Sequence, residues 1–248
     1  MRGVIMPLIF GTWKLDPRYG KIDSIKDALE IIDYAVDRGI NHFDTASVYA
    51  NQEIEKILGR YSEKKIDIIS KIPATKKVPY LEKYNALDLY PLEWLERYVS
   101  QTTNNLRTTD YTMLLHNYGY WDNIDEVLLQ LYKYKERRIV SNIGISIPNN
   151  FSGIIPSEIL DIIDTLEIPY NVENRWIESN LEKLEGKRVL LRSLLKDLKN
   201  GDIDEKKVRD IILKGGQYSD DLIIGMTKPE QVDINLKVYE DLYKWGNL

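Results

Sequence analysis

Short apolar runs rich in Ile, Val and Leu alternate with longer segments of helical period about eight times along this chain. Strands covered by helices on both sides have this composition, because both of their faces are buried. The alternation therefore predicts repeated βα units around a parallel sheet. With 248 residues the chain has the length of a single α/β barrel. We expect one (β/α)8 barrel domain spanning residues 1–248.

The same pattern predicts where the individual elements lie. The predicted strands cover residues 7–13, 41–46, 66–71, 111–116, 140–146, 166–171, 188–192 and 221–225. The predicted helices cover residues 24–38, 52–61, 91–107, 124–137, 156–165, 204–214 and 229–245. The first helix is the best defined, since Ser24 is suited to cap its beginning and Gly39 to end it. Segment 175–186 has no clear period, and segment 72–90 reads as a long loop of the kind often found beside functional sites.

Composition narrows the possible functions. A net charge of −5 with interleaved acidic and basic residues argues against a nucleic-acid partner. The absence of cysteine excludes disulfides, a thiol nucleophile and a zinc–thiolate cluster, and the two histidines argue against a multi-histidine metal centre. The apolar run near the N-terminus is brief and broken by Pro7, which is too short for a signal peptide or a membrane span. We expect a soluble, cytoplasmic protein without a membrane partner.

Ionisable side chains close three successive predicted strands. Asp44 ends the second strand with Tyr49 shortly after it, Lys71 ends the third, and His116 ends the fourth. In a closed parallel barrel the carboxyl ends of all strands lie on one rim, where barrel active sites are found. We therefore expect these residues to lie close together although they are far apart in sequence.

This set of residues suits proton donation to a carbonyl oxygen. A free phenol, with a pKa near ~10, is a poor acid at neutral pH, and a nearby ammonium lowers that pKa. Lys71 would supply the ammonium, Asp44 would keep it charged, and a neutral His116 would orient the carbonyl. No side chain carries a hydride, so a nicotinamide cofactor is implied.

The order of short motifs resembles that of the aldo-keto reductase family. These motifs are FDTASVYANQEIEKILG at 43–59, SK at 70–71, LLH at 114–116, IGIS at 143–146, EIPYN at 167–171 and IIG at 223–225. The resemblance implies an NADPH- or NADH-dependent reductase of aldehydes or ketones on a (β/α)8 TIM barrel, possibly acting on sugar-derived carbonyls. It implies that Tyr49 is the general acid, that Lys71 and Asp44 tune its pKa, and that His116 orients the carbonyl.

The resemblance also implies a set of cofactor contacts. They are Gly11, Thr12, Trp13, Ser146, Glu167, Arg192, Ser193, Gly225, Thr227, Lys228, Gln231 and Asn235, and Trp13 also belongs to the implied substrate pocket. Tyr118 and Trp121, in the aromatic turn after the fourth predicted strand, are further candidates for this pocket, and a surface or packing role is equally open for them. Lys228 near a helix N-terminus slightly favours NADPH over NADH. The chain departs from the family pattern at Ile147 and Glu167, where amide side chains are usual, and at Ala50, where glycine is usual.

Alternative interpretations remain open for the sequence alone. Taken singly, these residues have structural interpretations, with Asp44 as a capping carboxylate, Lys71 as a solvated lysine and His116 as a structural rim histidine. The altered amide positions at Ile147 and Glu167 favour a catalytically silent nicotinamide-binding barrel that serves as a sensor or partner subunit. A Schiff-base lyase at Lys71 is a third possibility, although Asp44 would tend to keep that lysine protonated.

Overall fold

Parallel strands close into a barrel in the computed structural model, which describes residues 8–19, 21–196, 198, 204–219 and 221–244. The strand order follows the chain order, and the first strand pairs with the last to close the sheet. This confirms the predicted (β/α)8 barrel. In the described residues the eight strands are β1 Leu8–Gly11, β2 His42–Asp44, β3 Asp67–Ile72, β4 Thr112–His116, β5 Asn142–Ser146, β6 Thr165–Pro169, β7 Arg188–Arg192 and β8 Asp221–Gly225.

Helices cover the outside of the barrel. They are α1 Ile25–Asp37, α2 Glu53–Leu58, α3 Ala86–Leu89, α4 Leu92–Leu106, α5 Ile124–Glu136, α6 Ser157–Ile162, α7 Glu205–Gly215 and α8 Pro229–Lys244. The connection between β6 and β7 instead contains the 3-10 turns Trp176–Ser179 and Leu181–Leu184, which accounts for the missing helical period there. Within the described ranges, no helix combines the length and the apolar character needed to cross a bilayer.

Side chains pointing into the barrel form levels of different polarity. Near the amino ends of the strands, Arg188 pairs with Asp67 and Asp221, which lie on β3 and β8. An apolar level lies above this floor and consists of Ile9, Ile69, Leu114, Leu190 and Ile223. Polar side chains follow at the carboxyl ends. The alternation of side-chain direction along each strand therefore separates a structural ion cluster from the polar groups of the rim.

The predicted ends of β1 and α6 were wrong. The first strand was predicted to reach residue 13 but ends at Gly11, because Trp13 begins a 3-10 turn. Pro7, its predicted first residue, lies outside the described residues. The predicted helix 156–165 ends at Ile162, since Thr165 pairs with Gly144 as the start of β6. The predicted helix 229–245 is observed to Lys244, and Trp245 also lies outside the described residues.

Candidate active site

The barrel brings the predicted polar residues to one rim. Asp44 ends β2, Lys71 lies one residue before the end of β3, and His116 ends β4. Tyr49 lies in the turn that follows β2. Neighbouring parallel strands end at the same edge, so residues separated by tens of positions in sequence share one site.

Lys71 lies between two carboxylates. Its Nζ donates to Asp44 Oδ1 and, at 2.9 Å, to the carbonyl oxygen of Thr45. Glu167 Oε2 lies 3.0 Å from the same Nζ, but the angles are not those of a hydrogen bond. Burial lowers the pKa of Lys71, but the charges of Asp44 and Glu167 outweigh it and raise the pKa above its ordinary value. The lysine is therefore held as an ammonium.

Glu167 is the centre of a second set of contacts. Its Oε1 accepts a hydrogen bond from Ser146 Oγ at 3.0 Å and pairs with Arg192 Nε at 2.9 Å. Burial raises the pKa of Glu167, but Lys71 and Arg192 lower it further, so the carboxylate is ionised. Burial and the charge of Glu167 raise the pKa of Asp44 to about 8. Arg192 thus supplies a second positive charge beside Glu167, the carboxylate that also faces Lys71.

Tyr49 and His116 meet edge to face. Their ring centroids are 6.4 Å apart and the ring planes make an angle of 83°. The phenol of Tyr49 has no hydrogen-bond partner among the described residues, which leaves its proton available to a ligand. Burial raises the pKa of Tyr49 and outweighs the opposing charge of Lys71. Burial and the charge of Lys71 lower the pKa of His116 to about 3, so the imidazole is neutral at physiological pH.

The chain makes a left-handed turn directly after Tyr49. The φ angles of Ala50, Asn51 and Gln52 are 45°, 53° and 72°. Left-handed backbone costs an L-residue about 1–2 kcal/mol, and single residues rather than runs usually adopt it. The sequence drew attention only to Ala50, where the family usually has glycine, so the length of the left-handed run was not predicted.

The residues that follow β1 contact the backbone of Asp44. The backbone N–H and the hydroxyl of Thr12 both donate to the Asp44 carbonyl oxygen at 2.9 Å. Gly11 pairs with Gly225, and a Cβ atom on Gly11 would lie 2.8 Å from Ile223 Cγ2. Trp13 is 48% exposed and packs on Tyr19 with centroids 5.0 Å apart.

The loop between β8 and α8 carries the other cofactor candidates. The N–H of Thr227 donates to Gln231 Oε1 at 2.7 Å, which ties the loop to the first turn of α8. Lys228 is exposed beside this helix N-terminus, an arrangement that suits a phosphate group. Asn235 is buried, and no residue in the described ranges forms a hydrogen bond with its Oδ1. An exposed cation and a helix N-terminus at one rim fit the phosphate end of a dinucleotide.

Comparison with models of protein families shows which family this chain belongs to. A model described as Aldo/keto reductase family matches residues 7–178, which is more than half of the sequence. The chain belongs to the aldo/keto reductase family. This membership supports an oxidoreductase that acts on carbonyl groups.

Other comparisons agree with this membership. Aldo-keto reductase AMT2 of Alternaria alternata is 44% identical over 55 residues, a match that spans 22% of this chain and 15% of that protein. A putative aldo-keto reductase from Pseudomonas aeruginosa shares the fold with a TM-score of 0.69 at 20% identity, covering 95% of this chain and 90% of that one. The holo form of an aldo-keto reductase from Bacillus halodurans has a TM-score of 0.70 at 20% identity, covering 94% and 86%. At 20% identity, these two structural matches show only that the fold is shared.

In this member of the aldo/keto reductase family the two aromatic pocket candidates are buried. Tyr118 packs on Phe151 with centroids 6.1 Å apart, and Trp121 packs on Tyr90 at 6.3 Å. They form part of an aromatic wall at the rim rather than an exposed lining. A cavity of about 320 Å³ lies between the loops after β5 and β6, and Phe151 and Trp176 contribute to its walls.

Two residues that contact the Tyr49 segment were missed in the sequence. Asp16 and Arg18 follow Trp13 in the loop after β1, and both bind backbone groups next to Tyr49. Nothing in the local pattern distinguishes them from ordinary turn residues, because their partners lie 30 or more positions away, as with Arg18 and Val48 at a separation of 30 and Asp16 and Ala50 at a separation of 34. Ser193 is the other unexpected feature, since its φ of 64° places a left-handed residue directly after Arg192.

Proposed function

We propose that this protein is an NAD(P)H-dependent reductase of aldehydes or ketones and that Tyr49 is its general acid. The observation that carries the proposal is the phenol of Tyr49, which is unpaired within the described part of the chain and meets a neutral His116 near the buried Lys71 ammonium. This combination offers one proton donor, one neutral orienting group and one fixed positive charge at a single rim.

Each side chain has a distinct role in this proposal. A nicotinamide would supply hydride to the carbonyl carbon. Tyr49 donates its proton to the carbonyl oxygen, and the positive charge of Lys71 stabilises the phenolate that remains. His116, being neutral, orients the carbonyl oxygen towards the phenol. Asp44 and the carbonyl of Thr45 hold the ammonium in place.

The principal test is the Tyr49→Phe variant. Removing one hydroxyl removes the proton donor but keeps the aromatic ring, so we expect turnover to fall about 10²- to 10⁴-fold with little change in cofactor binding. Oxidation of NADPH and of NADH should be followed with a panel of small and sugar-derived aldehydes and ketones. Tyr98→Phe on α4 is a matched control, because it removes the same hydroxyl away from the rim. Turnover by Tyr49→Phe at the wild-type rate would contradict the assigned role.

Cofactor preference is proposed to depend on Lys228. An ammonium beside the first turn of α8 would bind the additional phosphate of NADPH, so Lys228→Ala should weaken NADPH binding about tenfold and leave NADH binding nearly unchanged. Tryptophan fluorescence during titration measures both constants. Lys206→Ala, on α7, removes an exposed ammonium elsewhere and serves as the control. Equal weakening for the two cofactors would assign Lys228 no discriminating role.

The contacts of Glu167 are consistent with the alternative function, a catalytically silent barrel that binds a nicotinamide. Both of its oxygens already face protein cations, and Ile147 beside it is buried and apolar. If the barrel only senses the nicotinamide, tight binding should occur without oxidation of NADPH by any carbonyl in the panel. The Schiff-base alternative is less consistent with the site, since a lysine flanked by Asp44 and Glu167 stays protonated and is a poor nucleophile.

A further inference from the structure

Two residues of the loop after β1 bind the peptide groups on both sides of Tyr49. The Nη2 atom of Arg18 donates to the carbonyl oxygen of Val48 at 2.5 Å. The carboxylate Oδ2 of Asp16 accepts the N–H of Ala50 at 2.7 Å. The backbone immediately before and immediately after Tyr49 is therefore attached to a neighbouring loop.

Asp16 and Arg18 also bind each other. The Nε atom of Arg18 lies 3.0 Å from each carboxylate oxygen of Asp16, and its Nη2 lies 2.5 Å from Oδ2. Planar pairing of this kind fixes the orientation of both groups. Asp16 is fully buried, whereas the side chain of Arg18 is 51% exposed. Burial raises the pKa of Asp16, but the Arg18 guanidinium and the backbone donors lower it further, so the carboxylate is ionised.

The same pair holds the left-handed turn. Arg18 Nη1 donates to Asn51 Oδ1 at 3.2 Å, in addition to the contact of Asp16 with Ala50. The third left-handed residue, Gln52, is held separately by Gln101 and Asn105 of α4. Unfavourable backbone conformations persist only when their surroundings determine them, and here each of the three residues has its own anchor.

We propose that Asp16 and Arg18 are positioning residues that hold the phenol of Tyr49 in place through the backbone. The proposal rests on the proposed function, in which the Tyr49 hydroxyl must reach a carbonyl oriented by His116. Without the pair, residues 50 and 51 relax towards right-handed backbone, which rotates the peptide after Tyr49. A displacement of about 1 Å of a reacting group is enough to reduce the rate strongly.

The first test is the Arg18→Ala variant. We expect kcat for carbonyl reduction to fall tenfold or more, while KM stays within about twofold and NADPH affinity is unchanged, because substrate and cofactor contacts remain. Arg60→Ala is the matched control, since it removes an exposed guanidinium from the turn after α2 and should keep the wild-type kcat. A wild-type kcat for Arg18→Ala with a lower melting temperature would overturn the proposal and make the pair a structural anchor only.

A rescue variant tests the physical reason. Glycine adopts left-handed backbone without strain, so Ala50→Gly in the Arg18→Ala background should recover at least about threefold in kcat. A further fall in kcat on adding Ala50→Gly would contradict relief of strain as the cause.

Amide hydrogen exchange separates this proposal from the proposed function. Arg18→Ala should accelerate exchange at the Ala50 amide in protein without substrate, and unchanged exchange would overturn the positioning role. If exchange accelerates but the wild-type protein reduces no carbonyl, or the Tyr49→Phe variant keeps the wild-type turnover, the proposed function fails. The role of Asp16 and Arg18 in holding the left-handed turn then still stands.

Discussion

The ammonium of Lys71 lies between the carboxylates of Asp44 and Glu167 in the upper part of the barrel. One cation does not fully compensate two buried carboxylates, and Arg192 supplies the second positive charge at 2.9 Å from Glu167. When all four groups are ionised, the two cations and the two carboxylates cancel in charge. At this scale the charge state of each residue depends on the other three.

Glu167→Gln should move the alkaline limit of carbonyl reduction to lower pH. Above pH 8 Asp44 and Glu167 are both ionised, and both raise the pKa of Tyr49. Removing one of these charges lowers that pKa. Because reduction needs the protonated phenol, the fall in activity at alkaline pH should occur about one pH unit lower than in the wild-type protein. The measurement is kcat/KM against pH.

An exposed carboxylate on the same rim provides the control for this variant. Glu173→Gln lies in the loop after β6 and should leave the pH profile in place. A shift of the Glu167→Gln profile to higher pH would show that the lost carboxylate does not act on Tyr49 by its charge.

At the scale of single elements, α1 shows how local sequence determines a helix boundary. Ser24 Oγ accepts the N–H of Asp27 at 3.3 Å, and Asp27 Oδ2 accepts the N–H of Ser24 at 2.9 Å. Gly39 follows the helix with a φ of 92°, a conformation open to glycine without strain. Both signals lie within the segment itself, which is why the sequence predicted this helix closely.

Ser24→Ala should lower the free energy of unfolding by about 1 kcal/mol, because the first turn of α1 loses a capping acceptor. Urea denaturation measures the change. Ser24→Thr keeps the hydroxyl and should retain nearly all of the stability. An equal loss in both variants would mean that the hydroxyl is not the stabilising group.

At the scale of the whole molecule, the floor of the barrel joins strands that are distant in sequence. Arg188 Nη2 lies 2.8 Å from Asp67 Oδ2, and Arg188 Nε lies 2.6 Å from Asp221 Oδ2. The pair with Asp67 links β7 to β3 across the barrel axis, and the pair with Asp221 links β7 to its neighbour β8. They are partly buried, so their removal affects folding more than the removal of a surface pair would.

Arg188→Met should destabilise the fold by about 2–4 kcal/mol, since two carboxylates would remain in the barrel without their cation. Thermal and urea unfolding measure the loss. Adding Asp67→Asn and Asp221→Asn removes the uncompensated charges and should restore much of the stability. Failure of the triple variant to recover would mean that packing by the Arg188 side chain, rather than charge, is the main contribution.

Sequence patterns predicted the elements better than their contacts. Strands β7 and β8 were predicted with the observed bounds, because their apolar runs are delimited by polar or glycine residues. The end of α6 was misplaced, since the pairing of Thr165 with Gly144 interrupts an apolar period that continues in sequence. Periodicity reports which face of a segment is buried, but a neighbouring strand decides where a helix must stop.

The amino-acid order by itself determined that this chain forms a parallel barrel with Asp44, Lys71 and His116 at strand ends, because burial and alternation are local properties of each segment. The tertiary structure alone decided that Glu167 binds Lys71 and Arg192 and that Asp16 and Arg18 hold the turn after Tyr49. These contacts depend on closure of the barrel, which brings together charges that no local pattern relates.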